Sequence, residues 1–369
     1  MKHLTLFSIS VLICLQTSAQ GFRKYSNEFL NIGIGGRGLA MSGAQVATVS
    51  DVTSGYWNPA GAMKIKGTVQ ASIMHTEYFA GIAKFDYAAV SLPIADGEKR
   101  IGFSLIRFGI DDIPNTLFLV QPDGSLNYDN ITSFSAADYA FNFSYAMNSG
   151  VDGLTLGGNA KVVHRILGPF ANSWGFGVDI GAQYELNNWR FGAVLKDVIP
   201  TFNAWSFNFT DAEKQVLFET GNVIPTSSVE VTAPKLVLGS GYNFKVGKRV
   251  SILPEIDLDV TTDGKRNVLI SAKPFSIDPK GGVEIGYMKT VYLRAGLGNF
   301  QRMTDDLTGE KITSVQPNMG LGIRIKNLTI DYALTNIGNF SQPFYSNVFS
   351  LKINLGEPAL SIEDMYNDN

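Results

Sequence analysis

The feature that most constrains this chain is a period-two alternation of apolar and polar residues that recurs between residues 67 and 355. In Ile252–Val260 the apolar side chains occupy the even positions, and Glu255, Asp257 and Asp259 occupy the odd ones. Successive side chains of a strand point to opposite faces of a sheet, so this pattern predicts strands with one apolar and one polar face. The same pattern is clear in 139–147, 154–162, 328–335 and 349–355. The chain is therefore predicted to be all-β.

The spacing of the predicted strands indicates how they are arranged. We expect fourteen strands, at 67–75, 84–92, 100–108, 139–147, 153–164, 174–185, 188–196, 234–243, 250–259, 281–288, 290–297, 315–325, 327–335 and 347–355. Long links (109–138, 197–233, 260–280, 298–314) alternate with short ones around Gly97, Asn148–Asp152, Asn187, Val246–Lys248, Lys289 and Lys326. Short turns at one rim and long loops at the other are typical of an antiparallel transmembrane β-barrel of the outer membrane.

Aromatic residues near strand ends agree with a membrane barrel, because such residues form belts at the two lipid–water interfaces. We expect outward positions for Tyr139, Tyr145, Tyr184, Trp189, Tyr292 and Tyr332. The alternative is a β-sandwich outside the membrane, in which the apolar face of each strand would point inward.

The chain divides into four predicted parts. Residues 1–20 have the layout of a secretory signal peptide, with Lys2 and His3 before the apolar run Leu4–Leu15 and small residues ahead of Gln20. Residues 21–66 form a segment ahead of the first strand, 67–355 the barrel, and 356–369 an acidic periplasmic tail. Beyond the leader no apolar run reaches the roughly 18 residues of a membrane helix. Export to the outer membrane is the predicted localisation.

The block from Phe29 to Met63 is rich in glycine and alanine, and its only charged residues are Arg37 and Asp51. A lumen enclosed by fourteen strands is too wide for side chains of the wall to fill, so we expect this block to plug it. Small residues permit close packing of its backbone, and Arg37 is expected to pair with the acidic lumen face of Ile252–Val260. Asn58 and Pro59 predict a capped turn.

Several kinds of chemistry are not expected. Gly33–Gly38 matches G-x-G-x-x-G, but the β-rich sequence around it lacks the βαβ context of a dinucleotide site. His75 and His164 are isolated, and the only cysteine, Cys14, lies in the leader, so neither a metal site nor a catalytic set is predicted. The formal net charge of −3 gives no indication of nucleic-acid binding. We expect no enzyme activity and no cofactor.

The block from Phe29 to Met63 resembles the N-terminal signature of the PorV/PorQ family. These are outer-membrane proteins of the type IX secretion system of Bacteroidetes, related to the FadL-type long-chain fatty acid transporters. The residues that carry the resemblance are Arg37, Met41, Gly43, Ala44, Ala47, Asp51, Tyr56, Asn58, Pro59, Ala60 and Gly61. The resemblance implies a FadL-like, fourteen-stranded barrel whose N-terminal segment packs inside. It implies structural roles in that plug for Arg37, Gly43, Asp51, Tyr56, Asn58, Pro59 and Gly61.

The resemblance also implies partners, namely outer-membrane lipid and type IX secretion proteins: the pore, cargo with a C-terminal sorting domain, or the attachment complex. The long loops carry the candidate contacts, which are Leu117 and Phe118 in Gly109–Asp138, and Phe202, Trp205, Phe207 and Phe209 in Val198–Val231. Exposed apolar groups on outer loops mark contact sites. The alternative is that they fold over the barrel mouth and pack on each other.

Two functions remain open. The first is a non-enzymatic component of type IX protein secretion that binds cargo or partner proteins through its loops and rim. The second is a FadL-like transporter of hydrophobic small molecules. A transporter should contain a continuous apolar tunnel that reaches a break in the wall. A secretion component should have a closed lumen and an apolar crown of loops.

Overall fold

The computed structural model describes residues 26–121, 123–225, 227–304, 309–336 and 345–356. The predicted signal peptide, with Cys14, and residues 357–369 of the predicted tail lie outside this range. The wall consists of β1 (Val69–Tyr78), β2 (Ala83–Ile94), β3 (Lys99–Asn115), β4 (Thr132–Asn148), β5 (Leu154–Leu167), β6 (Ala171–Leu186), β7 (Trp189–Phe207), β8 (Lys235–Tyr242), β9 (Val250–Thr261), β10 (Ser276–Tyr287), β11 (Val291–Thr304), β12 (Lys311–Ile325), β13 (Leu328–Thr335) and β14 (Ser346–Leu355).

The remaining elements are short. Helices α1 (Gly36–Ala40) and α2 (Ser54–Trp57) precede β1, and α3 (Asp211–Glu219) lies between β7 and β8. Turns of 3₁₀-helix span Glu28–Asn31, Pro59–Lys64, Ala95–Gly97 and Tyr128–Asn130, and short strands span Ser227–Val231, Phe244–Val246 and Ile270–Ser271. None of the helices in the described part of the chain has the length and apolar character needed to cross a membrane.

The fourteen wall strands form one closed antiparallel sheet. Each pairs with the next along the chain, and β1 pairs with β14 from Val69–Leu355 to Thr76–Val348. All fourteen predicted strands are present, and the six predicted short turns lie at one rim, so the predicted barrel is confirmed. A βαβ unit is absent around the described Gly33–Gly38 segment, which enters α1 without a preceding strand.

The two faces of the wall have the predicted chemistry. On β9 the side chain of Ile256 is 62% exposed, whereas Glu255 on the opposite face is 1% exposed. On β4 Phe143 faces outward and Asn142 is buried inside. Apolar side chains that face away from the enclosed space suit lipid, because a soluble sandwich would bury them.

One predicted girdle residue faces the other way. Tyr292 lies in register with the inward Arg294, whose guanidinium lies 5.2 Å from the centre of the tyrosine ring, while the outward Leu293 is exposed. The Tyr292 hydroxyl donates to the Lys289 carbonyl at 2.9 Å. The prediction was wrong because it rested on an aromatic residue near a strand end and not on the alternation: Tyr292 is next to the outward Leu293, and adjacent side chains of a strand point to opposite faces.

The long links are shorter than predicted because several strands continue past the membrane. β3 and β4 have 17 residues each and β7 has 19, whereas about ten suffice to cross the membrane. Not all strands are extended in this way, since β8 and β13 have only eight residues each. The predicted loops 109–138 and 197–233 therefore begin or end as strand. Strands above the membrane need no lipid-facing stripe, so the alternation that reveals them fades there.

Candidate functional site

The lumen is occupied by residues 26–66, which we call the plug. Its backbone runs from the long-loop side, where Asn27 contacts Thr232, to the short-turn side, where Lys64 meets Glu185. Side chains of eleven strands form hydrogen bonds with it, namely those of β1, β2, β3, β5, β6, β7, β8, β9, β10, β12 and β14. The plug is thus held from all around the wall.

Arg37 lies at the centre of the charged contacts of the plug. Its Nε donates to Glu284 Oε2 on β10 at 3.0 Å, and Arg294 Nε donates to the same oxygen at 2.6 Å. Arg294 also pairs with Asp331 at 2.6 Å, so two guanidinium groups and two carboxylates alternate in one network. The predicted pairing with β9 is indirect, because Arg37 reaches Glu255 through the Thr48 hydroxyl.

Two carboxylates of β9 bind the backbone of the plug. Asp257 Oδ2 accepts from the amides of Gln45 and Val46 at 3.0 Å each, and Glu255 Oε1 accepts from the amide of Ala47 at 2.7 Å. Both carboxylates are almost completely buried. These three buried hydrogen bonds fix the segment between α1 and α2 against the wall.

Asn58 holds the second half of the plug. Its Nδ2 donates to the carbonyls of Val46 and Ala182 at 2.9 and 3.0 Å, and its Oδ1 accepts from the Ala60 amide at 3.2 Å. It thereby caps the 3₁₀-turn that begins at Pro59, as the sequence predicts. A methyl group on Gly61 would lie 2.3 Å from the Val49 carbonyl oxygen, so no larger residue fits there without movement.

Asp51 anchors the plug to the strand that closes the barrel. Its Oδ2 accepts from Lys352 Nζ on β14 at 2.6 Å, and its Oδ1 accepts from the amide and hydroxyl of Thr53. Burial acts to raise the pKa of Asp51, but the Lys352 ammonium and these hydrogen bonds outweigh it and hold the pKa well below its ordinary value. The carboxylate is therefore charged at neutral pH.

The aromatic centre of the plug is a pair of adjacent rings. Tyr56 and Trp57 meet edge to face with their centres 4.8 Å apart, and Trp57 Nε1 donates to the Ile34 carbonyl. Gly43 adopts φ +83°, and a methyl group added to it would touch the Trp57 ring at 3.2 Å. The positions of Gly43 and Tyr56 thus belong to one packed cluster with Trp57.

Above the plug, on the long-loop side, lies a cavity of about 1010 Å³. Aromatic side chains form part of its surface, including Tyr56, Trp57 and Phe108. Charged groups form much of the rest: Glu28, Asp138, Arg165, Lys196, Lys235, Asp259, Arg266, Asp278 and Lys280. The cavity therefore has a mixed surface of apolar and charged groups.

One of the irregularities of the wall lies in β7. The regular strand pairing on one side of β7 stops after Lys196–Lys235 and resumes at Phe202–Val231, so that residues 197–201 lie opposite the three residues 232–234. The register between β7 and β6 shifts at the same level. Lys161 closes the inner side of this irregularity, with Nζ 2.7 Å from Asp197 and 3.1 Å from Asp179. A cavity of about 60 Å³ adjoins it.

The predicted contact residues divide into three groups. Phe118 is exposed on the β3–β4 loop, beside the half-buried Leu117. Phe202, Trp205 and Phe207 lie on β7 rather than in a loop, and Phe202 faces outward. Phe207 and Phe209 stack with ring centres 6.3 Å apart, and Trp205 lies 5.2 Å from Arg165. These last three side chains pack on each other and on the inner wall.

Several residues that hold the plug were not singled out from the sequence. They are Gln45, Gln183, Glu284, Lys352 and Asn159, each of which bonds the plug to the wall or within itself. Four of them lie on wall strands, where the period-two pattern marks them as inward-facing, whereas Gln45 lies in the plug. The pattern does not indicate how far along the barrel axis a side chain lies, so the plug residues that these side chains contact could not be inferred. In the described residues no group of three potential metal ligands occurs.

Comparison with known proteins identifies the fold. No protein-family model matches the chain, and no curated protein matches it. Among solved structures, the toluene transporter TbuX of Ralstonia pickettii is 14% identical, with 88% of this chain and 98% of that chain covered and a TM-score of 0.51. A FadL homologue of Pseudomonas aeruginosa is 12% identical over 86% and 96%, with a TM-score of 0.52. The toluene transporter TodX of P. putida is 13% identical over 88% and 99%, with a TM-score of 0.52. The chain thus has a FadL-like outer-membrane barrel fold.

Proposed function

We propose that this chain is a non-enzymatic outer-membrane barrel with a closed lumen that binds a partner protein at its outer face. Following the resemblance of the plug sequence, we assign it to type IX protein secretion. The observation that carries the proposal is the attachment of the plug to eleven strands spread around the wall. A plug held in this way leaves no passage for a partner protein, so such a partner would bind at the outer surface; it does not exclude the passage of a small molecule.

The outer loops supply the apolar surface that such a partner requires. On the β3–β4 loop Val120, Leu126 and Tyr128 are 55–67% exposed, and on the β7–β8 loop Phe218 and Val223 are 77% and 92% exposed. We call these five residues the crown. Exposed apolar groups on outer loops are candidates for contact with a partner protein.

The test is affinity purification of the tagged, full-length protein from outer membranes, followed by identification of the proteins that come with it. We expect a secretion pore, cargo with a C-terminal sorting domain, or an attachment protein. Replacing Val120, Leu126 and Tyr128 with serine should remove that partner, whereas Asp129→Asn on the same loop should retain it. Recovery of the same proteins with the serine variant would contradict a role for the crown.

Transport of a hydrophobic small molecule is the second candidate. The solved structures support this function better than the first, because they include toluene transporters and a monoaromatic hydrocarbon channel. The irregularity in β7 supplies a position where a path could reach the membrane. The charged groups on part of the large cavity and the Lys161 ion pairs beside β7 count against this function, because an apolar solute gains no burial next to them.

Uptake of toluene or a long-chain fatty acid into vesicles that contain the protein distinguishes the two functions. The transport hypothesis requires faster uptake than in protein-free vesicles, and it requires that Lys161→Met alter the rate of uptake. The binding reading requires uptake equal to that of the protein-free vesicles. Partner capture and solute uptake are separate measurements, so either result stands alone.

A further inference from the structure

The short-turn rim carries an uneven distribution of charge that neither candidate function uses. On one half of the rim, six cations lie in or beside three neighbouring turns: Lys245, Lys248, Arg249, Lys289, Arg324 and Lys326. No acidic residue occurs in 243–253, 285–293 or 320–330. All of these cations are exposed except Arg324, which is half-buried. We call this set the cationic rim.

Backbone hydrogen bonds join the three turns into one continuous surface. The Met288 amide donates to the Arg249 carbonyl at 2.7 Å, which links the β8–β9 hairpin to the β10–β11 turn. The Arg324 amide donates to the Thr290 carbonyl at 2.7 Å and links that turn to the end of β12. The cations are therefore held side by side on fixed backbone, and their charges act on the same region of the periplasmic side.

The other half of the rim is different. The β2–β3 turn contains Asp96 and Glu98, and the β4–β5 turn contains Asp152. Glu185 beside the β6–β7 turn pairs with Lys64 and with Arg190 at 3.0 Å or less. Anionic phospholipid would surround the whole rim equally, so it does not account for a cationic surface confined to one half.

The sequence that follows β14 has the complementary charge. Residues 357–369 contain Glu357, Glu363, Asp364 and Asp368 and no lysine or arginine. This segment continues from Gly356, and the Asn354 amide of β14 donates to the Asn327 carbonyl in the β12–β13 turn at 2.8 Å. The acidic segment therefore begins beside one end of the cationic rim.

We propose that the acidic segment 357–369 docks across the cationic rim and covers it. Thirteen residues can reach about 40 Å when extended. Five strand spacings separate β14 from β9, which is about 24 Å across the sheet. The reach thus suffices for the whole rim. Covalent attachment supplies a high effective concentration, so even modest charge pairing keeps the segment in place. A periplasmic partner with an acidic surface would have to displace it.

Cysteine pairs in the full-length protein test the proposal. In a Cys14→Ser background, Asp364→Cys is combined with Lys289→Cys, or with Asp96→Cys as the control. Lys289 and Asp96 are matched because both lie in short turns with φ of 53° and 54°. The control turn, between β2 and β3, lies fewer strands from β14 than the β10–β11 turn does, so a segment without preference would reach it at least as often.

In neutral phosphatidylcholine vesicles, we expect about tenfold more disulfide for the Lys289 pair than for the Asp96 pair. The excess should vanish near 1 M salt, where the Debye length is about 3 Å. It should also vanish when Glu357, Glu363 and Asp368 are all changed to glutamine. A heat-modifiable band on gels verifies that each variant is a folded barrel.

Three results would overturn the proposal. These are equal yields for the two pairs, a yield that salt does not change, or loss of the Lys289 disulfide when phosphatidylglycerol is added to the vesicles. The last result would assign the cationic rim to lipid headgroups.

Discussion

Replacing Asn58 with alanine removes three hydrogen bonds at the point where the two halves of the plug meet the wall. The Val46 carbonyl keeps a second donor, Gln183 Nε2 at 3.0 Å. The Ala60 amide loses the acceptor that Asn58 provides, and the Ala182 carbonyl of β6 loses a donor. Asn58 is completely buried, so water does not reach these groups without local opening.

The magnitude follows from these losses. A buried polar group left without its partner costs about 1–3 kcal/mol. Two such groups, with partial relaxation around the shortened side chain, give a destabilisation of the plug of about 2–4 kcal/mol. Each 1.4 kcal/mol is a factor of ten in an opening equilibrium, so amides of 45–61 should exchange about 30- to 1,000-fold faster. The barrel ladder should be nearly unaffected.

Hydrogen exchange followed by mass spectrometry on the detergent-solubilised protein measures this change. Asn188→Ala, in the exposed β6–β7 turn, is the matched control and should leave plug exchange as in the wild type. Less than a twofold change in plug exchange for Asn58→Ala would refute the reasoning, because it would mean that Asn58 does not hold the plug. Equal acceleration of wall peptides would mean that the plug and barrel open together.

Three further outcomes are expected. Leu258→Arg, on the lipid face in mid-strand, should cost about 2–4 kcal/mol and lower the heat-modifiable fraction on gels, while Leu258→Ile should not. Gly61→Ala should lower the thermal midpoint by overpacking at a cost of about 1–3 kcal/mol, while Gly281→Ala, with no neighbour within 4 Å, should not. The Asp51–Lys352 pair should stabilise the plug above about pH 4 and lose this effect as pH falls further, because the pKa of Asp51 is lowered on folding. Asp51→Asn should loosen the plug at pH 7 and respond less to acid; identical acid profiles by hydrogen exchange would contradict this.

The barrel could be predicted from the sequence because its determinants are local. In Ile252–Val260, for example, the polarity of each residue indicates which face of the sheet its side chain occupies. The assignment of Glu255, Asp257 and Asp259 to the lumen is confirmed by their burial. Tyr292 shows where an assignment from residue type fails, because an amphipathic tyrosine near a turn can lie on either face of the sheet. The upper parts of β3 and β7 could not be predicted, since lipid does not select the residues there.

The contacts of the plug could be predicted only in kind. The lone arginine of the block, Arg37, was expected to meet a lumen carboxylate, and it does, but on β10 instead of β9. The choice between Glu284 and Glu255 depends on the rotation and depth of α1 in the lumen, which no local pattern records. Arg37 and Glu284 are more than 200 residues apart in the sequence, and only closure of the barrel around the plug brings them together.

The position of the plug within a closed wall has a consequence for biogenesis. The plug directly precedes β1, and it is joined to β6, β9 and β10 as well as to β14, the strand that seals the cylinder against β1. A finished cylinder offers no lateral entry for such a segment, so we expect the hairpins to wrap around it while the seam is still open. The plug then acts as a template around which the strands close. Mutations in it should reduce the yield of inserted protein even where the mature fold tolerates them.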